Sequence, residues 1–257
     1  MDFLSFRRTA MDWRTQWQRI QQQCGQLIKR SVPNRCIACH QSVDGDGHGI
    51  CSVCLQAGLY STPVCLGCGG SMTETMAYCG QCQLLMPLKV IAPCSYHQGL
   101  GRWIAAIKYQ RQCAVLEALT QALYQRIVLL AQQEMISMPQ AIIPVPLHPK
   151  RQRQRGFNQA WLVAKPLSER LKLPLLDEHL IRTQATQPQA GLDGKQRRQN
   201  LHQAFSLVKA IDVQRVAIVD DVVTTGTTVT EITQLLTKQG ISSQVWCLAR
   251  AEAPDLL

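Results

Sequence analysis

Two neighbouring aspartates stand between an apolar run and a segment of threonines around one glycine. The stretch 216–228 reads VAIVDDVVTTGTT. Its first four residues predict a buried parallel strand, and the threonine segment predicts a loop that leads into a helix. Backbone N–H groups at the start of a helix bind anions, and a glycine lets the backbone wrap closely around one. The pattern therefore predicts a phosphate site with two carboxylates beside it.

The two carboxylates decide which phosphate is expected. Asp220 and Asp221 would repel a phosphate that they touched, so we expect them to accept hydrogen bonds from sugar hydroxyls or to hold a bridging metal. A ribose phosphate combines these groups. The predicted phosphate-binding residues are Thr224, Thr225, Gly226, Thr227 and Thr228. The alternative is a threonine-rich helix cap that binds no ligand.

Four Cys-x2-Cys pairs lie between residues 36 and 82. Each pair presents two sulfurs to one ion, and two pairs complete a tetrahedral site that leaves no open position for water. We therefore expect two structural Zn²⁺ ions. Sequential pairing of neighbouring turns is the simplest arrangement, and a cross-braced one that joins the first turn to the third stays open. The predicted ligands are Cys36, Cys39, Cys51, Cys54, Cys65, Cys68, Cys79 and Cys82.

The remaining cysteines and two nearby histidines have no predicted role at the metal. Eight thiolates already satisfy two ions, so His40 and His48 are not expected to be ligands. The other four cysteines lie on apolar segments and are expected to be buried thiols. They are Cys24, Cys94, Cys113 and Cys247.

Composition limits the class of protein. With 257 residues, 46% of them apolar and 17% charged, the chain has the balance of a globular protein. It contains neither a run of about 18 apolar residues nor a secretory segment, so we expect a cytoplasmic protein. The formal charge is +10, and two zinc ions bound by eight thiolates lower it to about +6. Such a charge attracts phosphates or nucleic acid but identifies neither.

Strands that alternate with helices after Pro87 predict an α/β domain with a parallel sheet covered on both faces, in which ligands bind at the carboxyl ends of strands. The predicted strands are 90–96, 141–146, 179–183, 215–219 and 245–250. The predicted helices are 100–108, 113–133, 157–171 with a kink at Pro166, and 227–239 ending at Gly240. Residues 184–200 are predicted to form a polar loop that leads into a further helix.

Three regions follow from these patterns. Residues 1–34 form an N-terminal extension, 35–86 a double zinc ribbon and 87–257 the α/β domain. Within the extension, apolar residues at helical spacing with basic residues between them predict an amphipathic helix over 11–30. Its apolar stripe is expected to dock on the protein body or on a second subunit. The alternative is an arm for a membrane surface or nucleic acid.

The stretch VAIVDDVVTTGTT resembles the phosphoribosyl pyrophosphate (PRPP) motif of type I phosphoribosyltransferases. The resemblance implies that Asp220 and Asp221 bind the ribose 2′ and 3′ hydroxyls, that 224–228 bind the 5′-phosphate, and that Mg²⁺ accompanies PRPP. Arginines pair bidentately with phosphate oxygens. The basic run after strand 141–146 therefore makes Arg151 and Arg155 the leading diphosphate contacts. Further candidates are Lys150, Arg153, Arg197 and Arg198, and the next helix starts with Asn158 and Gln159, expected to cap it or to orient substrate.

Two further blocks, IIPVPLHPKRQRQRGFNQA and QATQPQAGLDGKQRRQNLHQAF, complete the resemblance. Together with the cysteine pairs they resemble the ComF/GntX family of competence and DNA-utilisation proteins over residues 36–250. The family implies a PRPP-binding protein that serves uptake or use of extracellular DNA, with single-stranded DNA and DNA-uptake proteins as partners. An active phosphoribosyltransferase with an unidentified acceptor is the alternative. The sequence names neither that acceptor nor an oligomeric state.

Overall fold

The computed structural model describes residues 35–43, 49–98, 100–101, 103–104, 114–183 and 204–252, with backbone alone for Ala114, Gln154 and Arg155. The helices with described bounds are α1 (Ser52–Gly58), α2 (Gly80–Leu85), α3 (Ala114–Gln132), α4 (Pro149–Arg155), α5 (Gln159–Leu171) and α6 (Thr227–Thr237). The strands are β1 (Val90–Ile91), β2 (Cys94–Ser95), β3 (Ala141–Pro144), β4 (Leu180–Arg182), β5 (Phe205–Leu207), β6 (Arg215–Val223) and β7 (Ser242–Arg250). The predicted helix 11–30, the loop 184–200 and most of the predicted helix 100–108 lie outside the described residues.

A parallel sheet forms the centre of the α/β domain, as predicted. Its order is β1, β7, β6, β3, and β2 also pairs with β7. The two central strands carry the longest apolar runs of the domain, which is typical of strands buried on both faces. All pairings are parallel, so the carboxyl ends of β3 and β6 meet at one edge of the sheet.

Both faces of this sheet are covered. Successive residues of a strand point to opposite faces. On one face, Ala217 and Val219 pack with Trp246 and with buried residues of α3 and α5. On the other face, Val216 and Ile218 pack with buried residues of α6, β4 and β5. None of the helices in the described part of the chain is both long and apolar enough to cross a membrane.

Two predicted strands differ from the observed ones. The predicted strand 90–96 is divided into β1 and β2, because the Pro93 carbonyl accepts a hydrogen bond from the Tyr60 N–H at 3.0 Å instead of joining the ladder. Strand β6 is longer than predicted and reaches Val223, since its register with β7 continues past both aspartates. Asp220 and Asp221 therefore lie within the strand and not beyond it.

The chain around β4 differs from the prediction in two respects. Strand β4 does not join the parallel sheet but pairs with β5 in a separate antiparallel sheet. Strand Phe205–Leu207 was not predicted, and the residues that follow the polar loop, up to 203, lie outside the described residues. Pairing with β4 across a long connection overrides local preference here: Thr183 N–H donates to the Ala204 carbonyl at 2.9 Å, which extends the ladder.

The short helix α4 was not predicted, and its ends explain why it forms. His148 Nδ1 accepts a hydrogen bond from the Lys150 N–H at 3.2 Å, and Pro149 occupies the first helical turn, where its missing N–H has no consequence. Gly156 ends the helix at φ 83°. The basic run 150–155 therefore forms a helix that follows the carboxyl end of β3. The next helix, α5, continues through Pro166.

Candidate functional site

The cysteines form two separate metal-binding sets, and the pairing is sequential. Within each set the ligand atoms all lie within 4.8 Å of one another. The Sγ atoms of Cys39 and Cys51 are 3.9 Å apart, and those of Cys68 and Cys79 are 3.8 Å apart. A tetrahedral ion with Zn–S bonds of about 2.3 Å separates its sulfurs by roughly 3.8 Å. The two sets, which fit Zn²⁺, are Cys36, Cys39, Cys51, Cys54 and Cys65, Cys68, Cys79, Cys82.

The two ribbons repeat the same local structure. In each, the first cysteine closes a turn with a backbone bond, from Cys36 N–H to the Gln41 carbonyl at 2.8 Å and from Cys65 N–H to the Gly70 carbonyl at 2.9 Å. The third cysteine of each set is the N-cap of a short helix, α1 or α2. Because these turns are local, the Cys-x2-Cys spacing determines the shape of the site.

Backbone donors favour the thiolate form of the first cysteine in each set. Burial raises the pKa of Cys36, but N–H groups of residues 51, 39 and 38 donate to its sulfur and bring the pKa down to about 6. Cys65 shows the same balance, with a pKa of about 7. The thiolate is the form that binds metal. Of the cysteines predicted to be plain buried thiols, Cys94 and Cys247 are buried, and Cys24 and Cys113 lie outside the described residues.

Arg250 connects the second ribbon to the sheet. It ends β7 and is 2% exposed. Its guanidinium donates to the carbonyls of Leu66 at 3.0 Å and Gly67 at 2.6 Å, inside the third cysteine turn, and approaches the Val90 carbonyl at 3.4 Å. On β6 its register partner is Val223, the residue before the threonine loop. The second ribbon contacts Arg250, and the threonine loop begins after Val223, so both are attached to neighbouring positions at the same edge of the sheet.

The threonine loop joins the end of β6 to α6. Its five residues, 224–228, are half-buried. Gly226 has φ 71° and is the N-cap of α6, with no side chain to occupy the first turn. The hydroxyls of Thr225 and Thr227 are 2.9 Å apart. The helix dipole and the free N–H groups of the first turn favour an anion in this position.

The two aspartates differ in their surroundings. Alternation along β6 directs Asp220 to the face of Ile218, and Asp220 acts electrostatically on Arg182 and Cys247 of that face. Each carboxylate accepts a hydrogen bond from the next residue's N–H at 2.8 Å, which fixes its orientation. Asp220 is half-buried and Asp221 is 9% exposed. The structure therefore brings Asp220 toward the face covered by the β4–β5 sheet.

One arginine on that face was not among the residues predicted from the sequence. Arg182, on β4, is buried, and its guanidinium carbon lies 5.4 Å from the centre of the Phe205 ring. Burial lowers the pKa of Arg182, and so does the charge of Arg151, whereas Asp220 raises it; the result is about 10. Arg151 on α4 and Asp220 on β6 are thus both within electrostatic range of Arg182 on β4. The sequence feature that could have indicated Arg182 is a cationic residue in the otherwise apolar strand Leu180–Arg182.

The other predicted polar residues are placed as follows. Asn158 is a structural cap: its Oδ1 accepts from the Ala160 N–H at 3.1 Å, and its Nδ2 donates to the Val145 carbonyl at 3.0 Å. Gln159 is buried in the first turn of α5. Lys150 and Arg153 are exposed on α4, and Arg151 is half-buried. The side chain of Arg155, and all of Arg197 and Arg198, lie outside the described residues.

Comparison with known proteins agrees with this arrangement. Residues 27–83 match the double zinc ribbon domain model, and residues 158–252 match the phosphoribosyl transferase domain model. Competence protein F of Haemophilus influenzae is 40% identical over 223 residues, which cover 84% of this chain and 97% of that protein. The chain belongs to the competence protein F (ComF) family. The resemblance to ComF/GntX proteins is thereby confirmed.

Other members of the ComF family show similar agreement. The DNA utilization protein YhgH of Escherichia coli K12 is 35% identical over 223 residues, covering 86% of this chain and 98% of its own. A purine phosphoribosyltransferase structure from Pyrococcus horikoshii is more remote, at 21% identity, a TM-score of 0.31, and coverage of 52% of this chain and 72% of its own. That similarity is too low to add to the fold described above.

Proposed function

We propose that this ComF family member binds PRPP or a related ribose 5-phosphate, with Mg²⁺, and serves the uptake or utilisation of extracellular DNA. The observation that carries the ligand is the position of the aspartate pair and the threonine loop at one sheet edge, directly before the start of α6. The observation that carries the role is the similarity to relatives named competence protein F and DNA utilization protein.

Each part of the ligand has a partner at this edge. The N–H groups at the start of α6 and the threonine hydroxyls within 224–228 receive the 5′-phosphate. Asp220 and Asp221 accept hydrogen bonds from the ribose hydroxyls. Arg151 and Arg155 follow β3, the neighbouring strand, and pair with the diphosphate. Mg²⁺ is typically held by one or two carboxylates together with substrate phosphates, and Asp220 is the more exposed carboxylate of the pair.

A titration with matched variants tests the ligand. We would measure PRPP binding in the presence of Mg²⁺ by calorimetry, for the wild type, for D220N/D221N and for D212N. Asp212 is exposed and precedes β6, so D212N makes the same chemical change away from the site. The double variant is expected to bind at least about tenfold more weakly, because hydrogen bonds to charged groups contribute roughly 1.5–3 kcal/mol each. Equal binding by all three proteins would refute the assignment.

The second candidate is an active phosphoribosyltransferase with an unidentified acceptor. It is favoured by the placement of Arg151 and Asp220 within electrostatic range of Arg182, because charge on departing diphosphate requires such cations. Diphosphate release from PRPP, assayed with nucleobases and with single-stranded DNA as acceptors, separates the two candidates. PRPP binding without release favours a ligand-binding or sensing role in DNA utilisation. Release with one acceptor class identifies an enzyme.

A further inference from the structure

Arg182 lies at the proposed site although neither motif includes it. It is 8% exposed, and it pairs with Phe205 across the β4–β5 sheet. Phe205 belongs to the apolar cluster that contains Ile218 and Cys247, and Cys247 is the register partner of Asp220 on the neighbouring strand. The β4–β5 sheet therefore packs on the face of β6 that carries Asp220, and Asp220 lies within electrostatic range of Arg182.

Burial and the charge of Arg151 both disfavour the charged form of Arg182. Burying a guanidinium carries a desolvation penalty, and the neighbouring charge of Arg151 adds repulsion that Asp220 partly offsets. A leucine would cover Phe205 without either cost. Residues whose ionisation is disfavoured by burial and by a like charge cluster at functional sites. Two guanidiniums from different elements, beside one carboxylate, favour an anion between them.

We propose that Arg182 binds the diphosphate attached to ribose C1, together with Arg151, and so makes the site prefer PRPP over ribose 5-phosphate. The 5′-phosphate is received by the loop after β6, whereas Arg151 follows β3, the next strand of the sheet. Arg151 and Asp220 both act electrostatically on Arg182, so we assign Arg182 to the C1 side of the ribose. The stack on Phe205 fixes the plane of its guanidinium, which suits bidentate contact with phosphate oxygens. This inference rests on the proposed ligand.

Calorimetry with three ligands tests the assignment. Ribose 5-phosphate, magnesium diphosphate and PRPP are titrated into the zinc-loaded full chain as wild type, R182Q, R182K and R170Q. Arg170 is exposed on α5, so R170Q is a matched control for the loss of one charge. We expect R182Q to weaken diphosphate and PRPP binding by about tenfold or more, and ribose 5-phosphate by less than about threefold. R182K keeps the charge but loses the fork geometry, and is expected to lie between.

The outcomes separate this inference from the proposed function. If the wild type binds neither ribose 5-phosphate nor PRPP, the proposed function fails and the role of Arg182 fails with it. If the wild type binds PRPP and R182Q binds it as tightly as R170Q does, the role of Arg182 alone is refuted. If both Arg182 variants weaken the binding of all three ligands equally, Arg182 has a structural role, and its proposed contact with the diphosphate is refuted. Should R182Q fail to fold, the comparison of R182K with the wild type decides.

Discussion

Replacement of Arg250 by methionine tests whether the second zinc ribbon and the sheet edge form one structural unit. Methionine keeps most of the apolar stem but removes the donors to the Leu66 and Gly67 carbonyls, at 3.0 and 2.6 Å. The Leu66 carbonyl keeps the N–H of Val90 as a partner at 2.8 Å, whereas the Gly67 carbonyl loses its charged donor. The damage is therefore concentrated in the third cysteine turn.

The expected loss follows from these bonds. Two hydrogen bonds from a charged donor contribute roughly 3–6 kcal/mol together. Removal of a buried guanidinium recovers part of its desolvation penalty, so we expect Arg250→Met to lower the free energy of unfolding by about 2–4 kcal/mol. Arg250→Lys restores one donor and is expected to lose less. Weaker support of the cysteine turn should also speed zinc release from the second ribbon.

Urea unfolding in excess zinc and chelator-driven zinc release measure the two effects. Arg215→Met is the control, since Arg215 is exposed at the start of β6 and reaches the Met138 carbonyl at 3.4 Å. Its free energy of unfolding should change by less than about 0.5 kcal/mol. The reasoning is refuted if Arg250→Met unfolds within that margin of the wild type and releases both zinc ions at the wild-type rate.

Three further predictions concern the loop, the metals and DNA. Gly226→Ala should lose about 1–2 kcal/mol of stability because φ is 71°, although the added carbon has room, with Thr230 Oγ1 4.0 Å away, and it should weaken ribose 5-phosphate binding. Gly240→Ala, at φ 74°, should lose similar stability and keep the affinity for ribose 5-phosphate. Equal affinity of the two variants would contradict a phosphate-binding role for the loop. Cys54→Ser and Cys82→Ser should each reduce the zinc content from two ions to one, measured by plasma mass spectrometry, and their combination should reduce it to none. Retention of one ion by the double variant would overturn the sequential pairing. Single-stranded DNA binding should fall steeply with salt, as for a basic protein that displaces counterions, and an affinity that is insensitive to salt, or absent at low salt, would count against DNA contact.

Local patterns predicted the parts of the molecule that local forces build. The cysteine turns form from short-range backbone bonds, so their spacing was sufficient to identify two metal sites. The spacing was not sufficient to pair them, because intervals of similar length allow both arrangements, and the three-dimensional positions of the sulfurs were needed. The apolar run of β6 predicted a buried strand, but pairing with β7 extends that strand through Asp220 and Asp221 to Val223.

Long-range contacts account for what the sequence did not reveal. Strand β5 pairs with β4 across a connection of more than twenty residues, and a three-residue strand has too little pattern to be recognised alone. The position of Arg182 depends on that pairing, so its proposed role was missed with it. Helix α4 has no apolar periodicity and is defined by its caps at His148 and Gly156. In the sequence, Arg250 is only the last residue of an apolar strand, and its contacts with the ribbon carbonyls are visible only in the structure.

A crystal structure of the protein with PRPP and Mg²⁺ tests the central claim most directly. We predict the 5′-phosphate within the loop 224–228, the ribose hydroxyls on the aspartate pair, and the diphosphate between Arg151 and Arg182. The residues that lie opposite ribose C1 in that structure would then show whether an acceptor can reach this carbon. A ligand bound elsewhere, or a phosphate that leaves the N–H groups at the start of α6 uncontacted, would contradict the account.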